Sequence, residues 1–383
     1  TAQDAEKTEE STKSGIEYYE YYLIDKDKKE TKYTTNEILK DTVPFGEYKV
    51  YVIAYDRAGN PKQSNIVELT INTKTKMVAT GLTHSLALDE EGNLWGWGKN
   101  SYGQLGDGTT EDKRSPIKIK AKAKFKQIAV GSAYSFAIDE EGNLLAWGYN
   151  GYGQLGDGTT TDKTSPVQIM KGTKFTQISV GGDAYSLAID EEGNLWGWGK
   201  NFYGQLGDGT IENKTSPIKI KPETKFKQIA TGDGHSLAID EEGNLWAWGY
   251  NCHGQLGDET EINKKVPVQV KTNIKYKEIA AGYNCSLAID EQGNLWEWGS
   301  LAVRSSKIPV QIKLETKFKQ IAVGERYSLA IDEEGKLWTW GNNAYGQLGD
   351  GTKINRKSPM EIKPETKFKQ IAAHRYHSLA IDN

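Results

Sequence analysis

Few residues in this 383-residue chain have the types and spacing that chemistry needs, and each case turns on one physical check. His84-Ser85 sets an imidazole beside a hydroxyl, the raw material of a nucleophile pair, and the serine recurs at 135, 186, 236, 286, 328 and 378. The pair sits in an alternating strand pattern, where adjacent side chains leave on opposite faces, so the imidazole cannot take its neighbour's proton. A hydrogen bond to an adjacent repeat fits better. Asp89-Glu-Glu-Gly-Asn93 and Asp107-Gly-Thr109 invite a calcium reading, but neither has the ligand spacing of a calcium loop, and both fall where hairpins need turn residues. Gly96-Trp-Gly98 and Gly148-Tyr-Asn-Gly-Tyr-Gly153 are glycine-rich without a following Gly-Lys-Ser/Thr or any helical pattern, which argues against a phosphate loop. No catalytic constellation, cofactor motif or metal-ligand set emerges, and a non-enzyme is expected.

Two further sets bear on partners and redox state. Cys252 and Cys285 lie in consecutive repeats, near enough in the expected topology either to form a disulfide or to stand as two free thiols. The lysine runs 118–124 and 221–225 are basic, but acidic residues surround them and the net charge is −4, which suits a solvated rim rather than a nucleic-acid surface. With 26% charged residues and a mean hydropathy of −0.66, the chain has no run of 18 apolar residues, and no direct membrane insertion is expected.

What positions these residues is a repeat. The intervals between the recurring serines, counted from Ser85, are 50, 51, 50, 50, 42 and 50 residues. In the second unit, Phe125–Gly131 and Tyr134–Asp139 read as strands, with Glu140-Glu-Gly-Asn143 turning the chain into a third at Leu144–Gly148. Pro166–Ile169 makes a fourth, and proline recurs there at 116, 217, 267, 309 and 359, as an outer edge strand tolerates. Four antiparallel strands repeated radially describe a β-propeller blade. All eleven tryptophans fall in the third strand, as Trp-x-Trp in every complete unit except the second, where Leu145 stands beside Trp147. Blades press on both faces, so both tryptophan directions are expected to be buried, each ring contributing roughly 5 kcal/mol gross.

Gly-x-x-His-Ser-Leu-Ala-Leu-Asp, Gly-Asn-Leu-Trp-Gly-Trp-Gly and Asn-Ser-Tyr-Gly-Gln-Leu-Gly together resemble the repeat of the regulator of chromosome condensation family, over about residues 77–383. The resemblance implies an all-β, seven-bladed propeller. Family members include an exchange factor for a small GTPase, a plant ultraviolet photoreceptor and a bacterial β-lactamase inhibitor, so the fold alone does not choose a function. The photoreceptor's Gly-Trp-Arg-His-Thr cluster is not matched by Gly81-Leu-Thr-His-Ser85 or Gly324-Glu-Arg-Tyr-Ser328. The seventh unit, 371–382, supplies two strands. Either the native protein continues with a third, as we expect, or the ring closes around an incomplete last blade.

Residues 1–73 are different in kind, with strand-like runs at 16–22, 47–55 and 66–71. They resemble the late strands of a bacterial immunoglobulin-like or fibronectin-III-like module, that is, a partial N-terminal β-sandwich joined to the propeller by 72–76. That pairing implies a bacterial surface or secreted protein.

A repeat is most informative where it varies. The residues before the His/Tyr position change freely, including Thr83, Asp183, Asp233, Tyr283, Asn284, Glu325, Arg326, Arg375 and Tyr376. So do Lys99, Tyr149, Lys200 and Tyr250 just after Trp-Gly. These thirteen are the candidate binding residues, expected in loops on one face around the central opening; the alternative is drift at solvated turns. The fifth unit is eight residues shorter and should leave a notch on that face. The expected function is a non-enzymatic binding propeller that takes a protein or glycan on its loop face. An enzyme inhibitor and a GTPase exchange factor are the alternatives.

Overall fold

A computed structural model describes the backbone of strands within residues 16–71 and of 75–382, except 122, 183, 301–304, 313–314 and 375–376. Side chains are described from Thr75 onward, apart from those exceptions and 374–377. Every element is a strand; no helix occurs among the described residues.

The N-terminal strands β1 (Ile16–Ile24), β2 (Glu30–Thr34), β3 (Gly46–Asp56), β4 (Pro61–Gln63) and β5 (Val67–Ile71) form one antiparallel sheet. It is centred on β3, which pairs with β1, β4 and β5. The rest of the expected sandwich lies outside the described residues.

The first blade is β6 (Thr75–Thr80), β7 (His84–Asp89), β8 (Leu94–Gly98) and β9 (Lys113–Lys118), antiparallel in chain order from the axis outward. Five more follow at 125–169, 175–220, 226–269, 276–311 and 318–362. The propeller therefore has six four-stranded blades, and the expectation of seven is wrong. The final repeat contributes only Phe368–His374 and His377–Asp382, which pair as a two-stranded sheet without a Trp-x-Trp strand or an outer proline strand. Its inner strand packs against the sixth blade on one side and β6 on the other, and so closes the ring.

The core is cut into wedges between blades. Leu86, Leu88, Leu94 and Leu105 of blade 1 pack on Phe125, Ile128 and Trp147 of blade 2, and the pattern repeats around the ring. The tryptophan that precedes the strand's last glycine is buried in blades 2 to 6: Trp147, Trp198, Trp248, Trp298 and Trp340. The first tryptophan of each pair is only half-buried, against expectation, because its indole turns out to the turn aspartate: Trp95 Nε1 donates to Asp89 at 2.9 Å and Trp196 to Asp190 at 2.8 Å.

Candidate functional site

The loop after each third strand is a rigid clasp. In blade 1, Asn100 Nδ2 donates to Asp107 Oδ1 at 3.0 Å while Asn100 Oδ1 accepts from Leu105 N at 2.9 Å. Burial alone would raise the Asp107 carboxyl; donors from Thr109 and Asn100 outweigh it and hold the pKa below the ordinary carboxylate range. The recurring aspartates are thus structural staples. The clasp reaches the next blade, where Gln104 O accepts from Ser135 Oγ and from Trp147 Nε1, both at 2.8 Å. Gly106 has φ +78°, and a Cβ there would lie 2.8 Å from the Trp147 indole nitrogen, so glycine density serves this approach and not a phosphate.

The His/Tyr position points across the same boundary. His84 Nε2 and His235 Nε2 lie 2.9 Å from Ser135 Oγ and Ser286 Oγ, and Tyr134 Oη donates to Tyr185 O at 2.8 Å. The expected inter-repeat bond is present, and both serine hydroxyls in it are buried. Cys285 takes this position in blade 5 and is buried as a free thiol, its pKa pushed by burial to about 12. Cys252 is also free, exposed in the clasp of blade 4. The disulfide is therefore absent: Cys285 turns into the boundary with blade 6, among Leu287 and Val323, while Cys252 faces solvent.

The two variable zones meet at one end of the ring. Lys99 N donates to Thr83 O at 2.8 Å, Tyr149 N to Ala133 O at 2.9 Å, Lys200 N to Ala184 O at 3.0 Å, and Tyr250 N to Gly234 O at 2.9 Å. Asp233, Tyr283 and Glu325 line an axial cavity of about 130 Å³, together with the glycines that follow the inner strands. Thr83, Lys99, Tyr283 and Arg326 are exposed, and Arg326 holds φ 61°. Asn284 is buried, with its carbonyl accepting from Ser300 N, so its side chain does not belong to an open surface. Asp183, Arg375 and Tyr376 lie outside the described residues.

Sequence reasoning missed the larger part of this face. Tyr102 and Tyr149 stand 5.0 Å apart between ring centroids, Tyr149 and Tyr152 6.3 Å, and Tyr152 and Phe202 6.3 Å. Lys200 Nζ lies over both Tyr152 and Phe202, at 5.3 and 5.2 Å. A second group joins Tyr203 to Tyr250 at 4.8 Å and Tyr250 to His253 at 6.2 Å. Burial first, then the neighbouring Cys252, Tyr203 and Tyr283, raises the Tyr250 phenol, so it stays a neutral donor. Phe202 and Tyr345 are 54% and 56% exposed, which for large rings marks contact surface. The signal was present: tyrosine precedes the clasp glycine in most units, outside any strand, where no core needs it.

A family model described as the RCC1-like domain matches residues 46–304, and models of the regulator of chromosome condensation repeat match 318–347 and 334–381. The E3 ubiquitin-protein ligase HERC2 of Homo sapiens is 29% identical over 181 residues, 47% of this chain and 2% of that protein. The ultraviolet-B receptor UVR8 of Arabidopsis thaliana is 31% identical over 151 residues, 39% of this chain and 34% of that protein. The chain thus spans about a third of one curated relative and a small fraction of the other. Among solved structures, Prp20p from Saccharomyces cerevisiae, described with its binding to Gsp1p and histones, superposes with a TM-score of 0.71 at 25% identity, covering 81% of this chain and 83% of that one. With a family model covering more than half its length and the repeat clasped blade to blade, the chain belongs to the RCC1-like domain family.

Proposed function

We propose that the chain is a protein-binding propeller whose loop face, centred on the aromatic arc from Tyr102 to Phe202 and on Tyr203–Tyr250, takes a partner protein. The arc carries the reading. Exposed rings on a backbone fixed by clasps lose little entropy on binding, and aromatic residues dominate interface hot spots. The two imidazole–hydroxyl contacts among the described residues, His84–Ser135 and His235–Ser286, are buried between blades and take no part in the proposal.

The test is affinity capture with cross-linking, comparing the native chain with a Tyr102→Ser, Phe202→Ser, Tyr345→Ser triple variant of unchanged melting temperature. A partner held by the first and lost by the second supports the loop face. Equal capture by both would remove it. A second reading, guanine-nucleotide exchange on a small GTPase, draws on the likeness to Prp20p and its binding to Gsp1p. It predicts faster release of a labelled guanine nucleotide from a GTPase when the chain is added, and no acceleration across a panel of small GTPases would count against it.

A further inference from the structure

We infer that the aromatic arc is a groove for a proline-rich segment of the partner in the polyproline II conformation. This rests on the loop-face reading and names its chemistry. The arc opens at Gly151, which is exposed and bare where the other clasps carry Ser101, Phe202, Cys252 and Ala344. A Cβ at Gly151 would collide with the Tyr149 hydroxyl, so glycine lets that phenol lie across the loop. From Tyr102 through Tyr149 and Tyr152 to Phe202, successive rings are turned by 57°, 80° and 89°. Such turns make corners, with a ring face for one wall and a ring edge for the other, and not the flat plate on which a sugar stacks. The last two steps are each 6.3 Å. A polyproline II helix rises about 3.1 Å per residue, and alternate residues therefore advance by about 6.2 Å, one ring step.

Hydrogen-bond complementarity supplies a second, independent sign. Tyr149 N donates to Ala133 O and Gly153 N to Asn150 O, at 2.9 and 2.8 Å, so these loop carbonyls are already engaged. Asp162, the carboxylate beside Tyr149, accepts from Asn150 N at 2.8 Å. The arc's own polar groups are phenols and an ammonium, which donate. Burial first, then Tyr152, Asp162 and Tyr102, raises the Tyr149 phenol, which keeps its proton, and the Lys200 ammonium lies over Tyr152 and Phe202. A strand-like ligand brings an N–H with each carbonyl and needs acceptors in return. Proline brings a carbonyl and no N–H, and a polyproline II backbone makes no internal hydrogen bonds, so its carbonyls accept from such donors. Its rings pack on aromatic faces, and its fixed φ leaves little entropy to lose on docking.

The test uses the full chain against decaproline and an array of Pro-x-x-Pro peptides, each beside a copy with alanine for proline. Saturable binding of at least one proline peptide, weakened on the order of tenfold in its alanine copy, is expected. Gly151→Val, at a position where four other clasps carry side chains, should keep the native melting temperature and weaken that binding by a similar factor, through displacement of Tyr149. Phe202→Ala, at the other end of the arc, should weaken it too and keeps the test intact where Gly151→Val lowers stability. No saturable binding across the array, equal binding of the alanine copies, or undiminished binding by both variants overturns the inference. Retention of cellohexaose in place of every peptide also overturns it and makes the arc a sugar platform. If the aromatic triple variant loses its captured partner while no proline peptide binds, the loop face stands and the proline groove falls. If proline peptides bind as expected and the triple variant captures partners as before, the groove stands and the wider loop-face reading falls.

Discussion

Glu297 Oε2 accepts the indole N–H of Trp340 at 3.2 Å, across the boundary between blades 5 and 6. At the preceding boundaries the same indole donates to a clasp carbonyl: Trp147 to Gln104, Trp198 to Gln154, Trp248 to Gln205 and Trp298 to Gln255, each at 2.8 Å. Blade 5 lacks the Tyr-Gly-Gln-Leu-Gly-Asp-Gly run and so has no such carbonyl. Position 297 is glycine or alanine in blades 1 to 4, leaving room for the clasp leucine; a Cβ at Gly96 would lie 3.5 Å from Leu105. The glutamate occupies that room and supplies the missing acceptor. It replaces one of two bonds only, since Ser328 Oγ, whose equivalents Ser135 and Ser286 donate to Gln104 O and Gln255 O, is buried without a partner. The short unit is thus a repaired deletion.

Glu297→Ala should therefore destabilise the propeller by about 2–4 kcal/mol, through the lost volume and the orphaned indole together. Glu297→Gln keeps an acceptor and should cost less. Urea unfolding of the three proteins decides it, and an alanine variant as stable as the native chain would show that the bond to Trp340 carries no weight.

The two cysteines should behave as unlike thiols. Burial holds the Cys285 pKa near 12, so it has almost no thiolate at neutral pH and no access, whereas Cys252 is exposed. Native iodoacetamide treatment should add one carbamidomethyl group, mapped to Cys252 by mass spectrometry, and denaturation should release the second. A native mass two hydrogens short and unchanged by alkylation would restore the disulfide.

The repeat, its four strands and the inter-repeat histidine bond were legible because each follows from a local pattern: period-two alternation, a glycine turn, a fixed spacing. Blade number was not. Counting recurring serines gives seven, but a blade needs its Trp-x-Trp and proline strands, and Ser378 heads a unit that contributes two strands only. At the site, variation located Asp233, Tyr283 and Glu325 at the axial mouth. It also drew in Asn284, whose main chain and not its side chain is used. The aromatic arc escaped because Tyr102, Tyr152 and Tyr203 sit inside a run whose constancy reads as framework. There the glycine, glutamine and leucine face inward and the tyrosine does not.

Phe202 is the clean probe of that distinction. It is 54% exposed, with Lys200 and Tyr152 beside its ring at the edge of the arc, so Phe202→Ala should change stability by less than about 0.5 kcal/mol. Its effect should appear in partner capture instead. A large loss of stability would make the arc part of the fold and not of a contact surface.

His235 should set the acid sensitivity of the ring. Its imidazole is fully buried, bonded through Nε2 to Ser286 with Nδ1 unpartnered, and burial pushes its pKa from 6.5 to about 3. The unfolded chain takes up this proton below about pH 6.5 and the folded chain does not. The stability this residue confers is therefore complete above that pH and falls as the pH drops towards 3, by up to about 1.4 kcal/mol per pH unit. The aspartate staples act lower. Asp107, Asp157 and Asp208 have depressed folded pKa values, so their contribution is full above the ordinary carboxylate value of 3.8 and is lost only below it. His235→Tyr places at this site the residue that blades 2, 3 and 6 already use, over a glycine that admits either ring. Urea unfolding from pH 7 to 4 should give a flatter curve for the variant, with the difference between the two proteins isolating this one imidazole. Parallel curves across that range would mean that the buried ring takes up its proton in the folded state as readily as in the unfolded one.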